Sequence, residues 1–116
     1  MRLAFVAART IHHENHEAAA RRHLLATALA GRGHEVTCFT APWWEGDFES
    51  FEQDEVTYRA VEAGRAPVLS ARLASAIRRY DPDVVHVAGG RPWWTTGAHL
   101  GARLARAGLL VEWYDP

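Results

Sequence analysis

The sequence predicts an α/β fold: a three-layer sandwich around a five-stranded parallel sheet of order 3-2-1-4-5. Three observations predict it. Short apolar runs of strand length alternate with longer segments of helical period. Most of the intervening segments are long enough for the crossover that parallel strands require. Glycine, proline and aspartate punctuate most junctions between them.

The elements follow in order. Arg2–Ala7 (RLAFVA) is a near-continuous apolar run, as expected of a strand buried on both faces. Asn15 is an N-cap candidate, and Glu17 suits the positive end of the helix that follows. That helix spans His16–Ala30, with Ala18, Leu24, Leu25, Ala28 and Leu29 as its apolar side, and Gly31 and Gly33 end it. Val36–Thr40 is the second strand, rich in β-branched residues. Ala41–Asp54 has turn residues, clustered carboxylates and no period, so it reads as a surface loop. Val56–Val61 alternates with polar residues and reads as an edge strand. Pro67 suits the first turn of the second helix, whose stripe is Leu69, Leu73, Ala76, Ile77 and Tyr80. Asp81-Pro82 stops it. Val84–Ala88 is the fourth strand, Thr95 or Thr96 caps the third helix, Gly108 ends it, and Leu109–Trp113 is the fifth strand.

At 116 residues the chain is one domain, large enough for a core of its own. Hydrophobic residues are 48% and charged residues 23%, which excludes general disorder. A net charge of -1 gives no bulk attraction to nucleic acid. One cysteine excludes a disulfide framework. All 13 basic residues are arginine, so mechanisms that need a lysine are excluded. The opening apolar run is shorter than a signal-peptide core, and no stretch approaches a membrane span, so a cytoplasmic location is expected.

In open α/β sheets, ligands bind beyond the carboxyl ends of the strands, where the strand order reverses. Unusual residues gather at those ends. His12, His13, Asn15 and His16 follow the first strand, and Trp43 and Trp44 follow the second. Gly89, Gly90, Arg91, Trp93 and Trp94 follow the fourth, and Trp113, Tyr114 and Asp115 close the fifth. Indole faces pack on apolar CH surfaces such as a sugar ring or a lipid chain. Arg91, just before a helix, suits a phosphate.

Structural readings stand beside these. Paired tryptophans also serve as lids over a local core. His86 reads as a buried, hydrogen-bonded strand residue, and Cys38 as a small buried hydrophobe. His23 and His34 read as surface or helix-end residues. His12 and His16 have metal-ligand spacing, yet no third ligand accompanies them, so no metal is expected. The glycine-free loop AARTIHHENH is not a dinucleotide fingerprint, which argues against a nicotinamide oxidoreductase.

Three segments, RRHLLATALAGRGHEVTCFT, FEQDEVTYRAV and IRRYDPDVVHVAGG, make the sequence resemble the N-terminal, acceptor-side domain of family-4 glycosyltransferases of the GT-B fold. The resemblance implies two Rossmann-like domains in the complete enzyme. It implies hexosyl transfer from a nucleotide sugar to a sugar or lipid-linked acceptor. Residues 1–116 then form a partial N-terminal domain, and the donor domain is expected on a further segment or a partner chain. This chain holds no cofactor of its own; the nucleotide sugar is the substrate of the complete enzyme.

The sequence departs from the family pattern. His12, His13 and Asn15 stand where a glycine pair is usual, and Ala88 replaces the second histidine of the HxH pattern. His86 and Asp115 are thus the catalytic candidates. His12, His13, Asn15, Gly89, Gly90, Arg91, Trp93 and Trp94 are the candidates for acceptor binding. The chain alone is expected to be inactive. Self-association through the fifth strand is expected, as is peripheral membrane association of the complete enzyme. A second class of function is a free-standing, flavodoxin-like binding module without catalysis.

Overall fold

The structure is a computed structural model that describes residues 1–7, 17–40, 50–61, 66–88 and 92–112. Along these the chain runs β1 (Arg2–Val6), α1 (Glu17–Gly31), β2 (Glu35–Thr40), β3 (Ser50–Gln53), β4 (Val56–Ala60), α2 (Ala66–Tyr80), β5 (Val84–Ala88), α3 (Pro92–Ala105) and β6 (Gly108–Glu112).

The expected parallel sheet is present, with one strand added. The order is β3-β4-β2-β1-β5-β6. Five parallel strands keep the sequence-derived order, and β3 pairs antiparallel on the outer side of β4. The expectation of a structureless loop up to Asp54 is therefore corrected at its end. So is the edge position expected for Val56–Val61. The turn joining β3 to β4 explains why. Asp54 (φ 54°) and Glu55 (φ 67°) both take left-handed conformations, as a two-residue hairpin turn requires. Neither is the glycine or asparagine that usually announces such a turn.

Side chains alternate across the sheet and make two cores. Ala4, Val6, Phe39, Val85 and Val87 face one way, against Leu69, Leu73 and Ile77 of α2 and Trp94, Ala98 and Ala102 of α3. Leu3, Phe5, Val36, Cys38, Val56 and Tyr58 face the other way, against Ala26 and Ala30 of α1. The three layers are thus α2–α3, sheet and α1. The side of α1 turned to the sheet is only partly the expected one. Leu29 packs on this core, but Leu24 and Leu25 are 66% and 45% exposed and Ala28 is exposed too, while Ala26 and Ala30 are buried.

Helix ends follow local chemistry. In α1, Gly33 (φ 92°) takes the left-handed cap, and the His34 N–H donates back to the Leu29 carbonyl at 3.2 Å. In α2, Asp81 (φ 54°) does the same and Pro82 prevents continuation. In α3 the cap is Arg106 (φ 56°), with the Ala107 N–H donating to the Ala102 carbonyl at 2.8 Å. The expectation of Gly108 in that role is corrected: Gly108 begins β6. The amino ends of the strands are tied together. The Arg2 N–H donates to an Asp83 carboxylate oxygen at 2.8 Å. The Tyr80 hydroxyl donates to the Leu3 and Glu35 carbonyls at 3.3 and 3.2 Å. Among the described residues no helix is long and apolar enough to cross a membrane.

Candidate functional site

The opposite, carboxyl ends of the strands are where the chain changes direction. β1 and β5 are parallel neighbours, with Phe5 opposite His86 and Val6 opposite Val87. α1 leads from β1 to β2 on one face, and α3 leads from β5 to β6 on the other. The helices that follow β1 and β5 therefore lie on opposite faces of the sheet, which is the topological condition for a ligand crevice in such folds.

The expected site residues divide by place. His12, His13, Asn15, Gly89, Gly90, Arg91 and Asp115 lie outside the described residues, as do His16, Trp43, Trp44, Trp113 and Tyr114. In the sequence the first three follow β1, and the glycines and Arg91 follow β5.

Trp93 and Trp94 are described, and they are not loop residues. α3 starts at Pro92, three residues before the expected threonine caps. Proline is pre-shaped for a first helical position, and this outweighs Thr95 and Thr96 as caps. The two indoles then diverge. Trp94 is 7% exposed and belongs to the core under α3, so it supports the fold. Trp93 is 47% exposed in the first turn. Its backbone is anchored, since the Ser70 hydroxyl of α2 donates to the Trp93 carbonyl at 2.7 Å. A fixed helix turn thus presents an open indole at the carboxyl end of β5.

His86 sits within β5 and is 8% exposed. Its ring lies 5.0 Å from that of Phe5, tilted by 57°. It packs on the α1 side of the sheet, buried as the structural reading of this residue expects. Cys38 is buried, and burial pushes its thiol up to about 12. It is therefore no nucleophile at neutral pH. Among the described residues no group of three or more His, Cys, Asp or Glu side chains is placed to hold a metal ion.

One polar chain was not legible in the sequence. His23 Nδ1 lies 2.9 Å from the Tyr58 hydroxyl, and His23 Nε2 lies 3.7 Å from an Asp54 carboxylate oxygen. His23 is thus not the surface residue expected but a tie from α1 to β4 and the hairpin turn. The two residues are 35 positions apart, and no local pattern joins them.

Known proteins place this geometry. Residues 20–110 match the sequence profile of Glycosyltransferase Family 4, which is most of the chain. The chain belongs to that family. The fold agrees with the family's N-terminal domain, as the sequence resemblance anticipates. A sucrose-phosphate synthase from Thermosynechococcus elongatus has the same fold over 97% of this chain, with a TM-score of 0.64 and 14% identity. This chain spans 31% of that protein. No curated protein matches it in sequence.

Proposed function

We propose that this chain is the acceptor-binding half of a glycosyltransferase that moves a hexosyl group from a nucleotide sugar to a sugar or lipid-linked acceptor. The supporting observation is the exposed Trp93 indole, held on the first turn of α3 beside the reversal of strand order. An indole face there suits the CH face of a sugar ring. His12, His13 and Asn15, which follow β1 in the sequence, and Gly89, Gly90 and Arg91, which follow β5, are the further candidates for holding that acceptor. Family membership supports the reaction class.

In this reading the donor is held elsewhere, on another segment or a partner chain. Transfer needs the departing pyrophosphate stabilised and the acceptor hydroxyl held near the anomeric carbon. The chain contains no lysine, and Arg91 is the arginine closest to the crevice in sequence. One hydrogen bond to a charged group contributes about 1.5–3 kcal/mol. Millimolar binding needs about 4 kcal/mol. The 116-residue chain alone therefore turns over no sugar nucleotide, while keeping weak affinity for the acceptor.

The test is a pair of measurements on the purified chain. Saturation-transfer NMR with simple glycosides should show ring protons saturated by the protein. Trp93→Ala should weaken that binding by roughly tenfold, about 1.4 kcal/mol, with an unchanged circular dichroism spectrum. Measurable sugar-nucleotide turnover by the isolated chain, or glycoside binding indifferent to Trp93, would refute the proposal.

A further inference from the structure

Trp93 stands on the intrinsically weakest part of α3. Pro92 brings no N–H to the first turn, and Thr95 and Thr96 are β-branched. Within the helix, the Trp93 carbonyl pairs with the N–H of Gly97 four residues on. Glycine is the poorest helix former after proline. Local propensity alone would leave this turn loose, and the indole with it.

A contact from α2 compensates. A Cβ at Gly97 would lie 3.0 Å from the Ser70 carbonyl oxygen, 3.0 Å from Leu73 Cδ2 and 3.1 Å from Leu73 Cβ. Neither a backbone carbonyl nor a Cβ can swing aside, so glycine is what lets α2 lie this close to α3. At that approach the Ser70 hydroxyl donates to the Trp93 carbonyl at 2.7 Å. A carbonyl oxygen has two lone pairs and can accept from Gly97 and Ser70 together. Ser70 is buried, so its hydroxyl has little water to exchange this bond for. The turn is thereby tied to α2, while Trp94 ties it to the core.

We propose that Ser70 and Gly97 act together as positioning residues for the acceptor, through Trp93, a role that rests on the reading of Trp93 as the face on which the sugar lies. Neither residue touches the sugar. Gly97 gives up helix propensity so that α2 can approach, and Ser70 uses the approach to fix the turn. The indole is then oriented before the acceptor arrives, and binding carries less of the cost of ordering it. This role has a signature that helix stability lacks. Alanine at position 97 strengthens the helix by propensity, yet it pushes α2 away and loosens the presentation of the indole.

Fluorine NMR of the 116-residue chain labelled with 5-fluorotryptophan tests this, together with titration of a simple methyl glycoside. Trp93→Phe and Trp94→Phe identify the two signals of interest. Ser70→Ala should shift or broaden the Trp93 signal, while that of Trp94, pinned in the core, stays in place. The same variant should weaken glycoside binding by roughly threefold to tenfold, the value of one hydrogen bond. Gly97→Ala should change both readouts in the same direction. The double variant should bind about as weakly as the weaker single one, because the bond is lost only once. A Trp93 signal that neither change moves would overturn the proposal. So would binding that falls in Trp93→Ala but stays at the wild-type value in Ser70→Ala, and that result would leave the acceptor reading of Trp93 standing. A wild-type chain that binds no glycoside would instead refute the acceptor reading, and the positioning role with it.

Discussion

One face of the sheet carries two helices and the other carries one, and the two faces are held by different means. Under α2 and α3 the core consists of large side chains, with Phe39, Leu73, Ile77, Val85 and Val87 fully buried. The helices themselves approach closely. A Cβ at Gly97 would lie 3.0 Å from the Ser70 carbonyl, and one at Gly101 would lie 2.8 Å from Ile77 Cβ. Under α1 the helix contributes small residues, Ala26 and Ala30, and the bulk comes from Phe5 and Tyr58 on the sheet. A polar tie, His23 to Tyr58, supplements that thin contact. The α2–α3 face is held by volume and the α1 face by proximity and a hydrogen bond. Truncation and crowding should therefore have opposite rankings on the two faces.

Leu73→Ala should give the largest effect. The side chain is fully buried between α2, α3 and the sheet. Leu-to-Ala changes at such sites cost about 2–5 kcal/mol through lost burial and the cavity left behind. Urea unfolding should show the free energy of unfolding fall by that amount, read as a lower midpoint at an unchanged slope. A loss under about 1 kcal/mol would mean the α2–α3 core collapses freely around the void, and the contrast between faces would fail.

Adding one methyl group separates the helices further. Gly101→Ala gains about 1 kcal/mol of helix propensity. It also forces a Cβ against Ile77 Cβ, which is near the backbone and cannot swing away, at a cost of about 1–3 kcal/mol. The net should be a loss. Gly31→Ala, in the last turn of α1, meets nothing within 4 Å and should stabilise by about 0.4–1 kcal/mol. Thermal unfolding of the two variants should shift in opposite directions. Equal signs would show that the close approach of α2 and α3 does not constrain position 101.

These contrasts also mark what the sequence made legible. Strands β1, β2, β4, β5 and β6 are short runs rich in apolar or β-branched residues, and the parallel order follows from their crossovers. The buried side of α1 was not legible, because leucines attract attention by size while the alanines are what allow α1 to lie close to the sheet. β3 was hidden by a hairpin turn made of Asp54 and Glu55. At the site, topology was legible and rotation was not. Both tryptophans sit on one helix turn, and only the start at Pro92 decides that Trp93 faces out and Trp94 in. The ring of His86 and the tie of His23 depend on neighbours from other strands, which no local period encodes.

Alkaline titration sharpens the comparison at smaller cost. Burial pushes the Cys38 thiol from 9.0 to about 12, and chiefly burial pushes the Tyr58 hydroxyl well above its ordinary range; both lie under α1. Tyr80, on the other face, is raised from 10.0 to about 12, again chiefly by burial. Each folded value exceeds the unfolded one, so the unfolded chain loses its protons first. Stability is then fully present below about pH 9 and declines as pH rises toward 12. Because two of the three groups lie beneath α1, thiol labelling of Cys38 should accelerate ahead of global unfolding as pH climbs from 9. Labelling that tracks global unfolding throughout would show the α1 face to be as firmly closed as the other.

The smallest expected effect is the most discriminating for α1. Leu25→Ala removes a large apolar side chain from the middle of a helix, a change that elsewhere in this protein should cost several kcal/mol. Here Leu25 is 45% exposed and points away from the sheet, while Ala26 beside it is buried. Truncation leaves no cavity, and alanine is the better helix former by a few tenths of a kcal/mol. The change should stay within about 0.5 kcal/mol of wild type, the range of surface substitutions. Ala26→Leu should do the reverse, because the added volume has to enter the narrow gap between α1 and the sheet at a cost of about 1–3 kcal/mol. If Leu25→Ala proves as damaging as Leu73→Ala, the helix packs on its leucines, and the proximity on which the description of this face rests is wrong.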